Sequence, residues 1–383
     1  MTEADTGSQA RWGAFLEALI ADRDLLTKRI RVNLREQLPA YRLVSDRELD
    51  WGFRIDLDST LIAAREGPEA VTDEHLAGLT PVGEARARQG IAIQDVLIAW
   101  RIGVQIVLDR ATEIGPQLKI SPEEMLRFVR ALIAASDRAM EIIVSAHRGA
   151  ELELAQREHE RRATVVREAL LGTIAPVVVR AHAEACGIDP TYEYVAIRAE
   201  PGADERTQRE RQLGFQSTVT PREGLGATID DDLAGFLRRP PAGELAFAVG
   251  VGPPRPVERL PESFELASRA LATMRAFGLV GVKDIDALGV LPAIVADRAV
   301  GEALVRRYLE PLAGSQTEIA ASLRALFECD MHIERAAEQL FVHPNTLRYR
   351  IGRFEELTGA NLRNTTSALE VWWALQRDAL RSS

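Results

Sequence analysis

The sequence predicts a multidomain, predominantly α-helical protein: an N-terminal all-α helical bundle, a central α/β region and a C-terminal all-α helix-turn-helix. Three observations predict it. From Trp12 to about Ala150 apolar residues recur at helical spacing. From about Gly172 to Gly314 short alternating or apolar runs are separated by Pro- and Gly-rich loops. Near the C-terminus two short amphipathic helices are separated by about three residues. A length of 383 residues accommodates two to four such domains.

In the N-terminal part the spacing predicts helices over 12–38, 46–65, 82–113 and 121–150. The last opens with Ser121-Pro122-Glu123-Glu124, a strong helix start. The most apolar run, 91–108, approaches the length of a membrane span but carries Asp95 and Arg101. A buried core helix is therefore expected, and no membrane. Arg86, Trp100 and Arg101 are candidates for an effector pocket, the arginines gripping an anionic metabolite by their fork geometry. Core packing with carboxylate partners, or a dimer surface, competes with that reading.

Residues 140–171 read as one connecting helix with the charged stretch ELELAQREHERR at its centre. Leu152, Ala155, His159 and Val166 form a weak heptad-like seam, so a solvated connector and a signalling helix paired in a dimer both remain open.

In the central region 192–200 and 244–252 read as strands. Residues 263–278 read as a helix with Phe264, Ala267, Leu271 and Met274 on one side. Gly250 and Gly252 form a G-x-G after a strand, but prolines follow instead of a helix start, which argues against a phosphate cradle. Asp230, Asp231 and Asp232 read as a solvated turn. Cys329 with His332, and His182 with Cys186, supply two potential ligands each where zinc wants three or four. No metal, cofactor or catalytic residue is nominated, and an enzyme is not expected.

At the C-terminus Ile333, Ala336, Ala337 and Leu340 make one buried stripe. Pro344 suits the first turn of a new helix and forces a break before it. On that second helix Leu347, Ile351 and Phe354 share one face. Asn345, Tyr349 and Arg353 cluster opposite, flanked by Thr346 and Arg348. Asn can read adenine, Arg guanine, and Thr a base edge or thymine methyl. Arg348, Arg353 and Tyr349 could equally hold phosphates. Arg350 falls beside the apolar stripe and is expected to be a structural ion-pair partner. Gly352 on the polar side costs ~1 kcal/mol of helix stability, which suits a place where a partner approaches closely. An ordinary helical hairpin with a solvated Arg-rich face is the competing reading. Ser315-x-x-Glu318 is expected to cap the start of this domain.

These residues carry a resemblance. AAEQLFVHPNTLRYRIGRFEELTGANLRN resembles the C-terminal helix-turn-helix of PucR/CdaR-type regulators, through His343, Asn345, Thr346, Leu347, Tyr349 and Arg350 and through the Leu-Thr-Gly-x-x-Leu run from Leu357 to Leu362. Phe341 departs from generic helix-turn-helix proteins, many of which place a turn glycine there. Residues 83–103 resemble RsbR-type N-terminal domains. AVGVGPPRPVERLPESFELASRAL with ALGVLPAIVADRAVGEALVRRYLEPL resembles a GGDEF-like middle domain.

The resemblance implies an RsbR-type domain over 1–150, a signalling helix over 140–171, a degenerate GGDEF-like domain over 172–314 and the DNA-binding domain over 315–383. It implies an effector-responsive transcriptional regulator contacting double-stranded DNA through this helix; together with the polar face of the helical wheel, the contact candidates are His343, Asn345, Thr346, Arg348, Tyr349 and Arg353. The Gly-Gly-Asp/Glu-Glu-Phe motif of a working cyclase does not occur in the chain. A stress-signalling or protein-interaction scaffold using the RsbR-like domain is the alternative.

Charge bears on assembly. The chain carries a net −10, yet residues 320–383 hold eight Arg against eight Asp and Glu. An acidic body suppresses non-specific DNA binding and leaves affinity to a small Arg-bearing face. A homodimer or larger assembly on repeated half-sites is thus expected. Two cysteines and a polar, acidic N-terminus point to the cytoplasm.

Overall fold

Helical periodicity builds the first part of the chain, and caps and breakers set the ends of its helices. In the computed structural model, which describes residues 3–202, 206–215, 222–312 and 316–381, the chain divides into two compact units, Met1–His159 and Glu160–Ser383.

The first unit contains α1 (Glu3–Ala21), α2 (Arg23–Gln37), α3 (Asp46–Glu66), α4 (Asp73–Leu76), α5 (Thr80–Arg88), α6 (Ile93–Ile114) and most of α7 (Pro122–Leu171). Ser45 starts α3 with a capping box: the Glu48 backbone N–H donates to Ser45 Oγ at 3.3 Å, and Glu48 Oε2 accepts from the Ser45 backbone at 3.2 Å. Two expected helices are each split. The 12–38 helix breaks at Asp22, and the 82–113 helix breaks at Gly90, whose φ of +71° favours glycine. There Ile91 N donates back to Arg86 O at 3.0 Å and closes α5. The core is built on Phe15, Leu16, Leu19, Leu26, Leu57 and Phe128, with Phe15 and Phe128 edge to face at 5.3 Å. Among the described residues no helix is long and apolar enough to cross a membrane.

Helix α7 runs unbroken for 50 residues. Phe128, Leu132, Ala135 and Ile143 belong to the core of the first unit; the stretch 151–157 is exposed. Its last turns then bury Ala163, Val165, Val166, Ala169 and Leu170 in the second unit. The segment read as a connecting helix over 140–171 is thus not a separate, solvated element: both of its ends are core. Of the heptad-like seam, Leu152, Ala155 and His159 are exposed and Val166 is buried.

The second unit continues with α8 (Pro176–Ala185), β1 (Glu193–Ala199), α9 (Arg206–Leu213), β2 (Gly224–Ile229), β3 (Asp232–Leu237), β4 (Ala248–Val251), β5 (Arg255–Pro256), α10 (Leu260–Ala276) and β6 (Gly281–Lys283). After them come α11 (Ile285–Leu288), α12 (Leu291–Ala296), α13 (Arg298–Tyr308), α14 (Gln316–Glu328), α15 (Ile333–Gln339), α16 (Pro344–Thr358) and α17 (Thr365–Ala379). The strands order as β2-β3-β1-β4-β6, with β5 on β1; among the described residues only the β4–β6 pair is parallel.

Helix α10 lies against β4 and β1, and the G-x-G pair makes that possible. A Cβ on Gly250 would stand 2.1 Å from Ala267 O, and one on Gly252 2.0 Å from Ser263 O. These glycines serve close helix–sheet packing.

The hairpin β2–β3 turns on Asp230 and Asp231, both with positive φ (49° and 66°), as a two-residue hairpin loop requires. Asp230 and Asp231 are the solvated turn expected of the three acids, but Asp232 is not part of it: it is buried, accepts from Arg198 Nε at 2.7 Å and is also ion-paired to Arg275.

Helix α13 packs on α17, where Arg377 meets Glu302 at 3.3 Å and Tyr308 bonds Glu370. One apolar cluster runs from Val305 through Leu375, so α13 shares the core of the helices after it, upstream of the boundary expected at 315. Ser315, expected as a cap, lies outside the described residues. The molecule is multidomain and mostly α-helical, with one small mixed sheet in its middle.

Candidate nucleic-acid interface and bundle cavity

The helix pair expected at the C-terminus is formed by α15 and α16. Ala336 and Ala337 are fully buried, and their small side chains admit the close crossing of α16. Leu347 and Phe354 are fully buried against them, with Ile351 partly so. Between the helices the chain turns through Phe341, whose φ of 54° is left-handed and whose ring is 97% exposed. The phenylalanine that replaces a turn glycine thus keeps the backbone conformation that glycine would favour.

His343 begins α16. Its Nδ1 accepts from the Asn345 backbone N–H at 3.2 Å, and Pro344 occupies the first turn, where a missing N–H costs nothing. His343 is therefore engaged as an N-cap. Gly359 ends the helix in the left-handed conformation, φ 70°.

Asn345, Thr346, Arg348, Tyr349 and Arg353 are all exposed, opposite Leu347 and Phe354. Within this face Arg348 donates to Asn345 Oδ1 at 3.0 Å and to Glu334 of α15 at 2.7 Å. Arg353 meets Glu356 at 2.9 Å, one turn on. Arg350 instead reaches back to Glu318 on α14 at 2.7 Å and to Ser322 Oγ at 3.4 Å. A Cβ on Gly352 would meet nothing within 4 Å, so the fold itself does not demand glycine there.

The first unit holds a second feature. A cavity of ≈ 70 Å³ is lined by residues of α2, α3, α5, α6 and α7 and by Tyr41. Most of its wall is apolar, including Ile30, Leu34, Phe53, Val96 and Ile143. Arg86 and Trp100 line it; Arg101 does not, and is exposed. Arg86 is buried, donates to Gln89 at 2.9 Å, lies 3.9 Å from Glu48 and sits 5.7 Å from the centre of the Tyr41 ring. Burial pushes the Tyr41 hydroxyl up to about 12 against the pull of Arg86. The Ser45 hydroxyl, with Arg86 nearby, holds Glu48 below its ordinary value.

Tyr41, Glu48 and Asp56 were not nominated from the sequence. Asp56 was legible in principle, because an acid at i+3 from Phe53 and i+7 from Leu49 falls in the buried stripe of α3.

Residues 319–376 match the family model of the PucR C-terminal helix-turn-helix domain. The chain carries a PucR-type helix-turn-helix. Residues 24–162 match that of the RsbT co-antagonist protein rsbRD N-terminal domain, so the cavity lies within an RsbRD-type region.

The chain is also similar to an uncharacterized protein of Mycobacterium tuberculosis, 34% identical over 135 residues, which are 34% of this chain and 30% of that protein. An uncharacterized Haemophilus influenzae protein is 37% identical over 112 residues, 27% of this chain and 28% of its own length. The chain thus covers less than a third of the length of these curated relatives. Among solved structures, a regulator of polyketide synthase expression from Bifidobacterium adolescentis matches 59% of this chain and all of that one, at 19% identity and a TM-score of 0.27. In the PucR-type helix-turn-helix the matched segment contains all of α15 and α16, and with them every exposed residue of the face described above.

Proposed function

We propose that this protein is a DNA-binding transcriptional regulator of the PucR/CdaR type, working in the cytoplasm as a dimer or larger assembly. The observation that carries the reading is one helix, α16, in a PucR-type domain. It buries Leu347 and Phe354 and exposes Asn345, Thr346, Arg348, Tyr349 and Arg353 together. In this arrangement α16 enters the major groove with its N-terminal end leading and its exposed face, as far as Arg353, against the bases. Asn345, Thr346 and Arg353 read base edges, Arg348 and Tyr349 hold phosphates, and His343 sets the first turn from which Asn345 projects.

The net negative charge of the chain favours two such helices acting together, since one small Arg-bearing face neutralises few phosphates. The exposed middle of α7, with Leu152 and Leu154 on its surface, is the segment that would pair two copies. The central domain then acts as a degenerate GGDEF-like spacer without cyclase activity. That reading is supported by a hairpin turn made of Asp230 and Asp231, with Asp232 consumed by two arginines. A small-molecule effector in the first unit would bias the spacing of the paired recognition helices.

Fluorescence anisotropy with the protein's own upstream DNA tests the reading. Sequence-specific binding is expected, and Asn345→Ala and Arg353→Ala are expected to abolish the specificity. Specific binding that survives both substitutions overturns the recognition face. The RsbRD-type match favours one second reading, a protein-docking scaffold, and the absence of any specific DNA binding would select it.

A further inference from the structure

Two residues that line the cavity of the first unit carry polar atoms that the fold leaves unmatched. Asp56 on α3 is 93% buried by its 7% exposure, and its Oδ1 has no hydrogen-bond partner among the described residues. The same holds for Nε1 of Trp100, on the α6 wall of the same cavity. A buried unpaired carboxyl and indole N–H each forfeit a hydrogen bond, a cost that folds rarely carry without a use.

Charge decides what would satisfy them. Arg86 has its own partners in Gln89 and Glu48, so its charge is answered inside the protein. The charged groups on the wall are then Arg86, Glu48 and Asp56, and with all three ionised they sum to one negative charge. Burial alone pushes the Asp56 carboxyl up to about 7; no cationic side chain acts on it. The group missing from this wall is a cation, whereas the arginines of the sequence would have suited an anion.

We infer that the first unit binds a small, mostly apolar amine, its ammonium held by Asp56 and its apolar body by Phe53, Val96 and Ile143. The Trp100 indole flanks the cation, and its N–H serves any acceptor atom the ligand carries. Roughly 10–15 Å³ of such space admits one water, so the cavity takes a ligand of about five non-hydrogen atoms. This deepens the effector reading above and rests on it only for the consequence on DNA.

The test is isothermal titration of the full chain at about pH 8 with butylamine, butanol and butyrate, alike in size and different in charge. Butylamine is expected to bind about tenfold or more tightly than butyrate, the advantage of a charge-assisted hydrogen bond. Asp56→Asn should remove that preference while leaving a folded protein, since it deletes an unpaired charge. Gly103→Leu, which fills the cavity from α6, should abolish binding without lowering the melting temperature. Binding of none of the three probes, a preference for butyrate, or butylamine affinity unchanged in Asp56→Asn overturns the site. Butylamine that binds as expected but leaves DNA affinity unmoved upholds the site and removes the effector reading.

Discussion

Arg350 of α16 is bonded to Glu318 of α14 at 2.7 Å, and is thereby turned away from the face that carries Arg348 and Arg353. Three arginines in six residues thus divide into different tasks. One anchors the helix to its domain, one bridges to Glu334, and one projects with only a local partner, Glu356.

That division predicts different consequences for two chemically identical changes. Arg350→Ala should cost at most about 1 kcal/mol of stability, because the partner carboxylate is mostly exposed. It should leave base preference unchanged. Arg353→Ala should leave stability nearly unchanged but lower affinity for the cognate site by about 1–3 kcal/mol if it reads a base. Urea denaturation alongside anisotropy on matched and mismatched duplexes separates the two. Equal losses of specificity from both variants would contradict the assignment.

Phe341 holds a left-handed backbone at φ 54° with its ring in solvent, so it carries strain and buries little. Phe341→Gly is expected to leave stability unchanged or raise it by up to ~1 kcal/mol. Phe341→Val, a β-branched residue in the same conformation, is expected to destabilise by a comparable amount. Thermal melts of the two variants read this directly, and a glycine variant that melts well below the parent would show that the ring has a packing role.

How much of this was legible in the sequence follows from where side-chain pattern alone decides structure. The apolar stripes of α15 and α16, the proline start of α16 and the placement of Arg350 are local, and periodicity displayed them. The α5–α6 break at Gly90 was missed because a helical pattern continues across it and one glycine decides the φ. The turn at the three acids was read, but strands β2 and β3 on either side of it were missed for a related reason. That turn is made by Asp230 and Asp231, and all three acids look solvated until the register pairs Ile229 with Asp232 and the arginines of β1 and α10 close on Asp232. Gly250 and Gly252 stood out as a G-x-G that suited no phosphate cradle, and only the position of α10 gives the reason for them. In the cavity Arg86 and Trp100 were found by residue type; Asp56 and Tyr41 come together with them only through tertiary packing of several helices.

Gly352 offers a test that separates folding from binding. An added methyl meets nothing in the chain, so Gly352→Ala should stabilise α16 by about 1 kcal/mol. If glycine is there to admit the DNA backbone, the same variant should bind its site more weakly despite its higher melting temperature. Opposite signs in the two measurements are expected; a gain in both would show that position 352 does not face the duplex.

Asp56 predicts a pH dependence whose sign is fixed by its burial. The carboxyl titrates at about 7 in the folded protein against an ordinary 3.8, so between these values the folded state holds a proton that the unfolded chain has released. This group's contribution to stability is therefore complete below about pH 4, declines as pH rises through the window, and is lost above about 7. Of the other groups on the wall, Tyr41 is pushed up to about 12 and Glu48 is held below its ordinary value, so neither titrates in the upper part of that window. Asp56→Asn should make the protein more stable than the parent near pH 8, by an amount on the order of a few kcal/mol. Near pH 3, below both values, the two should converge, since the parent carboxyl is then mostly neutral in both states. Denaturation midpoints of parent and variant at several pH values check this, and taking the difference cancels the titration of every other group. A difference that stays flat across the range would mean that Asp56 remains ionised in the fold, through a cation or solvent path that its buried position does not reveal.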